Sequence, residues 1–459
     1  MKNTQLNKIL GAFFLALSSA FLFACSEIKD GYSDIDSWPE VKDYSTKLQH
    51  PCMLHTEADF AYVKAKVEAK EQPWTNAFAH LESSKHAQSN WTATPVKLLA
   101  RLDYNNWHEK YPNDYSNYTK LMYDAASAYQ LALRWRISGD EHYAQAGVNI
   151  LNAWAKTCTG YIVDSQGNFI DPNEYLIAIQ IYQLANAAEI LRAYDKWSST
   201  DFGKYKTWMV DVFYPQASKF LSLHNGLTDC PLHYWLNWDL AEMTAILSIG
   251  ILTDDNFKIN EAIQYFKYGV GSGNIVNGVP FMHQDPDSNE TLGQCQESGR
   301  DQGHATLCVS LMGVFCQMAK NIGEDLFTFD NNRVLAMCEY VGKYNYGEVE
   351  TNNMLSNFKY DVSSLPYTAY ENCTGNSWPT ISYEEHKNGT ESRGAVRPSW
   401  ELIHRLTSDY NLSDIYTQLW VNKMRENSSR GYSDGGAGDY GSNSGGYDQL
   451  GWGTLMFSK

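Results

Sequence analysis

From Tyr123 onward the chain alternates long apolar-periodic segments with short polar breaks, and this recurrence limits it to an all-helical body. Tyr123 to Ile137 and His142 to Trp154 flank Ser138-Gly139-Asp140, a turn whose glycine stops one helix and whose aspartate can cap the next. Ala144, Gly147, Val148 and Leu151 keep helical spacing. The same plan recurs at Glu174 to Tyr194 with Tyr205 to Leu223, at Tyr234 to Ile251 with Asn256 to Tyr268, and at Gln302 to Lys320 with Asn331 to Tyr344. Nothing before residue 340 reads as a run of strands. Stacked antiparallel helix pairs make an open solenoid or close into an (α/α) toroid, and no tetratricopeptide or ankyrin motif favours the first. The expected fold is therefore all-α, an (α/α) toroid.

The last third reads differently. Asn352 to Arg393 is polar and irregular, one more helix fits Ser399 to His404 onward, and residues 431 to 453 are rich in glycine. Long loops there are expected to carry function. Gly435-Gly436-Ala437-Gly438-Asp439-Tyr440-Gly441 lacks the Lys-Ser/Thr ending of a phosphate loop and is read as a closing loop.

The N-terminus reads as a targeting segment: Lys2 and Lys8 precede an apolar run from Ile9 to Ala24, and Leu22-Phe23-Ala24-Cys25 has a lipobox-like end. The run is short for a spanning helix. The expected organisation is a lipoprotein signal peptide over 1–24, a lipidated Cys25 with a tether over 25–51, and a catalytic domain over 52–459. Such a product is an exported bacterial lipoprotein on the outer membrane, the cell surface or the periplasmic face, touching the membrane through its lipid alone.

With 36 basic and 53 acidic residues the chain carries a net charge of −17, which excludes nucleic acid as a partner but not a polyanion held at a locally basic cleft. The cysteines after Cys25 show no CxxC pair and sit mostly in apolar helical text, so no disulfide pairing is readable. The 12 histidines include no HExxH or HxH pair, so no metal and no other cofactor is expected. Aromatic residues cluster at Tyr104, Trp107, Tyr111, Tyr115 and Tyr118, where they serve either as sugar platforms or as rim packing.

Three stretches carry candidate chemistry. In Gln296-Glu297-Ser298-Gly299-Arg300-Asp301-Gln302-Gly303-His304, dense polar text leads directly into an apolar helix. Arg300 can hold a carboxylate through two parallel hydrogen bonds, and His304 can exchange a proton near neutral pH. The same residues equally suit a capping network, with Glu297 or Asp301 at the helix start. In His233-Tyr234-Trp235-Leu236-Asn237-Trp238-Asp239, Asn237 is an uncharged donor between aromatics, or else a helix N-cap. In the third, Tyr360, Tyr367 and Tyr370 offer phenols on an extended loop, and Arg393 and Arg397 follow as cations for substrate carboxylates or for structural ion pairs.

Together these blocks resemble the bacterial alginate lyase family of polysaccharide lyases, in particular its gut Bacteroidetes branch. The resemblance rests on the Asn237-Trp238 helix start, the 296–304 run, Pro366 to Cys373, Arg393 to Pro398, and Gly441 to Gly451. It implies a toroid of six or seven helical hairpins and metal-free β-elimination on a polyuronate, alginate first and glucuronan next. By that resemblance Asn237, His304, Tyr370 and Arg300 are catalytic, and Trp238, Glu297, Gln302, Tyr360, Tyr367, Arg393 and Arg397 bind substrate. The chain departs from members that place Asn and His side by side, since Trp238 follows Asn237. Two other readings share the same residues. An inverting glycoside hydrolase would use two carboxyls drawn from Glu297, Asp301 and Asp239. A non-catalytic glycan-binding lipoprotein would need only exposed aromatics.

Overall fold

A computed structural model describes residues 33, 35–102, 116–346, 365–381, 393–394, 396–426 and 434–458. Cys25, Tyr360 and the aromatic stretch from Tyr104 to Tyr115 lie outside the described residues. The turn at 138–140 does what its residues require. Gly139 adopts φ 77° and stops α3 (Tyr118–Ser138), and the Asp140 side chain accepts from the His142 N–H to start α4 (Glu141–Thr157). Ahead of them lie α1 (Glu57–Glu68), opened by a Thr56/Asp59 capping box, and α2 (Trp74–Ser83).

The pair expected at 174–194 and 205–223 is more broken than its pattern suggests. A 3₁₀ turn (Pro172–Ile177) leads into α5 (Ala178–Leu191), and α6 (Ser199–Trp208) passes through a π-helical turn (Met209–Phe213) into α7 (Tyr214–Leu223). Pro215, in the first turn of α7, has no N–H to continue the regular ladder. Then come α8 (Leu236–Thr253), α9 (Asn256–Tyr268), α10 (Gln302–Asn321) and α11 (Phe329–Tyr346). Three successive left-handed residues, Asp330, Asn331 and Asn332, interrupt the start of α11. Last are α12 (Trp400–Asp409), α13 (Tyr416–Glu426) and α14 (Gly453–Phe457).

Neighbour relations close these helices into a ring. α1 packs on α3, α3 on α5, α5 on α8, α8 on α10, α10 on α12 and α12 on α14, and α14 returns to α1 and α2. The others back this ring: α4 on α3, α9 on α8, α11 on α10, and α13 on α11 and α12. Buried position follows residue choice, because α5, α8 and α10 are covered along almost their whole length and are apolar nearly all round. This is the all-α toroid, with its core between the two layers.

One expectation fails. A β-hairpin precedes residue 340: β1 (Phe281–Gln284) pairs antiparallel with β2 (Thr291–Gln294). Its turn is held from outside, since the fully buried Lys343 of α11 binds Asp285 and, at 2.6 Å, Asp287. Two further two-residue pairings join Leu98–Leu99 to Gly160–Tyr161 in parallel and β3 (Tyr370–Glu371) to β4 (Ser377–Trp378) in antiparallel order.

The segment after residue 34 is docked rather than free. Asn256, Asn260 and Gln264, one turn apart on α9, hold the backbone of Tyr44, Lys42 and Glu40 in antiparallel order. Glu324 then binds Lys42, Tyr44 and Lys267 together.

Candidate active site

Trp235 precedes α8 in an extended conformation and offers its helix no side-chain cap. The first turn turns instead to Glu297, a completely buried carboxylate whose Oε1 accepts from the Asn237 N–H at 3.5 Å. An anion brought in from another segment thus meets the positive end of α8. Asn237 is not the N-cap. It sits one residue inside the helix, 1% exposed, and its Oδ1 has no hydrogen-bond partner among the described residues.

Tyr370 reaches the same place from β3. Its ring lies 5.9 Å from that of Trp235, which in turn lies 5.3 Å from Trp378 of β4. Its hydroxyl is buried without a partner among the described residues, and burial, with the nearby charge of Glu297, pushes the phenol well above its ordinary value. The segment carrying Tyr370 is clamped. Gln294 of β2 both donates to Thr368 O (2.6 Å) and accepts from Thr368 N (2.8 Å), and Tyr340 donates to Pro366 O. Asn372 donates to His233 O, and a disulfide joins Cys373 to Cys230 in the loop before α8. The other six described cysteines are free and buried.

Arg300 links this cluster to the next. Its guanidinium donates to Glu297 Oε2 at 3.2 Å, lies 5.9 Å over the Trp235 ring, and has its Nε 3.8 Å from Asp301. Asp301 is the N-cap of α10: Oδ1 accepts from the His304 N–H at 2.8 Å while Oδ2 lies 2.6 Å from His304 Nδ1. Burial works against the Asp301 charge, yet the His304 ring and backbone hold the carboxyl below its usual value. The His304 side chain is 36% exposed, and its Nε2 has no hydrogen-bond partner among the described residues. Capping and chemistry therefore coexist here.

Not every expected site residue meets this cluster. Gln302 is 1% exposed, donating to Ser298 O and accepting from Asn345, so its amide serves the core. Tyr367 donates to Trp378 O at 2.8 Å and lies so close over Gly299 that a side chain there would collide with its hydroxyl. Trp238 stacks on Tyr234 with ring centroids 4.7 Å apart. Arg393 donates to Tyr344 O and covers the Tyr344 ring at 4.1 Å. Arg397 donates to Gly445 O in the glycine-rich loop, where burial lowers its pKa.

That loop is a fixed wall, not a free flap. Gly436 bridges Gly451, His86 reaches the Tyr447 hydroxyl at 2.9 Å, and Gln183 and Tyr182 donate to the carbonyls of Tyr447 and Asp448. It brings in Asp448, which lies inside the Gly441 to Gly451 block and has no candidate role from sequence. Burial pushes its carboxyl up to about 6, against the pull of Arg101, Arg397 and His304. Trp235, Trp378 and Gln294 were likewise missed, since each matters only through contacts distant in sequence.

Among the described residues one grouping has metal-ligand donors, His50, Cys52 and Glu189, but its valences are used. His50 binds Glu189 through Nδ1 and Asp254 through Nε2, and Arg192 occupies the second Glu189 oxygen at 2.8 Å.

The alginate lyase family model matches residues 62–351, well over half of the chain. The protein belongs to the alginate lyase family. Its fold is also that of solved alginate lyases. One from Bacteroides ovatus is 15% identical, with TM-score 0.53, over 81% of this chain and 95% of that one. Alginate lyase A1-III from Sphingomonas species A1 is 13% identical, with TM-score 0.53, over 94% and 100%. A variant of A1-III complexed with tetrasaccharide is 13% identical, with TM-score 0.54, over 93% and 99%. At these identities the likeness speaks for the toroid alone. No curated protein sequence matches.

Proposed function

We propose that this family member is a polysaccharide lyase that cleaves a 1,4-linked polyuronate, alginate first and glucuronan next, by β-elimination to unsaturated uronates. The observation that carries the assignment of residues is the pair of buried, unpartnered polar atoms beside Glu297, Asn237 Oδ1 and the Tyr370 hydroxyl. Buried polar groups normally find partners, so two orphans at one place suit a ligand that supplies them. The A1-III complex with tetrasaccharide supports an oligosaccharide on this fold.

Elimination removes the C5 proton, α to a carboxylate, and the developing charge must be met by donors. Arg300 is the candidate for that role, with Asn237 able to join it through its Nδ2 amide while its unpartnered Oδ1 can only accept, as from a sugar hydroxyl; each donor is worth a few kcal/mol in a site preorganised for it. Tyr370, held protonated by burial and Glu297, suits proton delivery to the leaving O4. His304 presents Nε2 as base when Nδ1–H donates to Asp301. The hydrolase reading has less support: Glu297 is tied to Arg300, Asp301 to His304, and Asp239 to Tyr265 and the Gly273 N–H.

The same reading places the protein outside the cytoplasm, lipidated at Cys25. The Cys230–Cys373 disulfide suits an oxidising compartment. Incubation with alginate, glucuronan and hyaluronan, following the ultraviolet absorbance of unsaturated uronates with and without chelator, tests the activity. Only saturated ends would overturn it. Radiolabelled palmitate incorporation, lost in Cys25→Ala, tests the anchor.

A further inference from the structure

The segment docked along α9 reaches the end of α7 at Ser33, whose hydroxyl donates to Glu261 at 2.6 Å and meets that of Ser222 at 3.1 Å. Beside it opens a cavity of about 350 Å³, bounded by Ser33 and Trp38 of the docked segment, His224 after α7, and Tyr268 and Val270 at the end of α9. The rim of this cavity is apolar and open to water. Tyr268 is exposed and Val270 is 64% exposed. Exposed Val276 stands next to Asn277, which donates to Val270 O at 3.2 Å, and exposed Leu227 donates its N–H to His224 O at 3.0 Å. Among the described residues eight large hydrophobic side chains are exposed, and these four are half of them, so the face is a patch and not the usual scatter of single residues. Charge is missing from the same lining. It holds no lysine or arginine, and its one carboxylate, Glu261, is buried and taken up by Ser33, Ser218 and Tyr214.

Resting on the reading that Cys25 is lipidated, we propose that the face formed by Leu227, Tyr268, Val270 and Val276 lies on the membrane that holds the anchor. Cys25 precedes Ser33 by eight residues, a stretch that spans at most about 28 Å when fully extended. The bilayer is therefore held within that distance of Ser33, and this face is the apolar surface beside it. A tether that served only as a leash would need no seat on the body. Here Asn256, Asn260 and Gln264 bind its backbone, and Glu324 binds Lys42 and Tyr44, so its point of departure is fixed and with it the side that the body turns to the lipid. Four side chains bury too little area to capture a dilute free partner. A tether this short keeps the bilayer at high effective concentration, so a shallow apolar contact suffices. The uncharged lining favours lipid over a charged partner, because nothing in it needs a counter-charge or loses much hydration at the headgroup boundary.

The test uses the full-length protein, its lipidation confirmed by palmitate labelling, reconstituted into vesicles of phosphatidylethanolamine and phosphatidylglycerol. Val270→Cys and, on α1, which packs on α2, α3 and α14, Tyr62→Cys each add one exposed thiol to a chain whose described free cysteines are all buried. Each is coupled to an environment-sensitive fluorophore. The expected result is a blue-shifted emission at position 270 that is mostly lost when the vesicles carry lipids with a quencher near the headgroup, while position 62 keeps the emission of a label in water. Equal quenching at both positions, or none at 270, overturns the proposal. A blue shift at 270 that quencher lipids leave intact, with a doubled mass in solution, would seat a second copy of the chain on this face and overturns it as well. Wild-type protein that takes up no palmitate would instead overturn the anchor reading on which the proposal rests.

Discussion

The two ends of the candidate site solve opposite problems. At the Tyr370 end the walls are aromatic, the segment is stapled by a disulfide and a glutamine clamp, and the unpartnered polar atoms are neutral and buried. At the His304 end the groups are charged or titratable, and the imidazole is partly open to solvent. On the proposed lyase reading the first end suits a fixed proton donor and fixed dipoles, which work best where water is excluded. On the same reading the second suits the recognition of charge. Arg300 touches both, since its guanidinium contacts Glu297 on one side and Asp301 on the other.

That contrast breaks most sharply at Tyr370. Tyr370→Phe should lower kcat by about 10²–10⁴-fold, the range for loss of a general acid. Its melting temperature should hold or rise, because an unpaired buried hydroxyl contributes nothing to the fold. Near-normal turnover would remove the dry end from the chemistry. Asn237→Ala should cost about 10²–10³-fold in kcat as a lost charge-stabilising donor. A lowered melting temperature with activity retained would make Asn237 a structural amide.

At the open end the effect should depend on substrate. In mannuronate the C5 proton and O4 leave from the same side of the ring, so one tyrosine can act as base and then acid. In guluronate they leave from opposite sides and need a separate base. His304→Ala should therefore impair guluronate blocks about tenfold more than mannuronate blocks. Equal loss on both pure polymers would turn His304 into a carboxylate neutraliser. A smaller effect is one of stability. Since the Asp301 carboxyl sits below its usual value when folded, its contribution is complete above the unfolded value, near ~4, and is lost as pH falls through the folded one. The melting-temperature gap between wild type and Asp301→Asn should thus narrow on acidification below about 4, and a gap independent of pH would deny the pairing with His304. Breaking the staple with Cys230→Ser and Cys373→Ser should destabilise by about 2–5 kcal/mol yet slow turnover only a few-fold.

The sequence reading reached the helical pairs and the helix stop at Gly139–Asp140 because these depend on neighbours three or four residues away. It failed where the decisive partner is remote. The β1–β2 hairpin owes its turn to Lys343, and short strands around Asp285-Pro286-Asp287 gave no periodicity to read. Asn237 carried two readings, an uncharged donor or an N-cap, the common fate of an Asn near a helix start. The structure puts Trp235 there and brings the compensating charge from Glu297. Gln302 looked like site text because its neighbours are, but helical geometry turns it inward to Asn345. Asp448 had no local signature, since its surroundings come from residues 101, 304 and 397.

The return of α14 to α1 has a kinetic side. Each hairpin can form early from local contacts, but the ring is completed only when segments from opposite ends of the chain meet, a closure with a large loop-entropy cost and a slow rate. Until then α1 and α2 expose the apolar face that Leu455, Met456 and Phe457 later cover. Assembly of the cleft is therefore a late event, because the glycine-rich wall bearing Asp448 lies immediately before the closing helix, and a chain stalled a few residues short would hold its helices yet lack one side of its site.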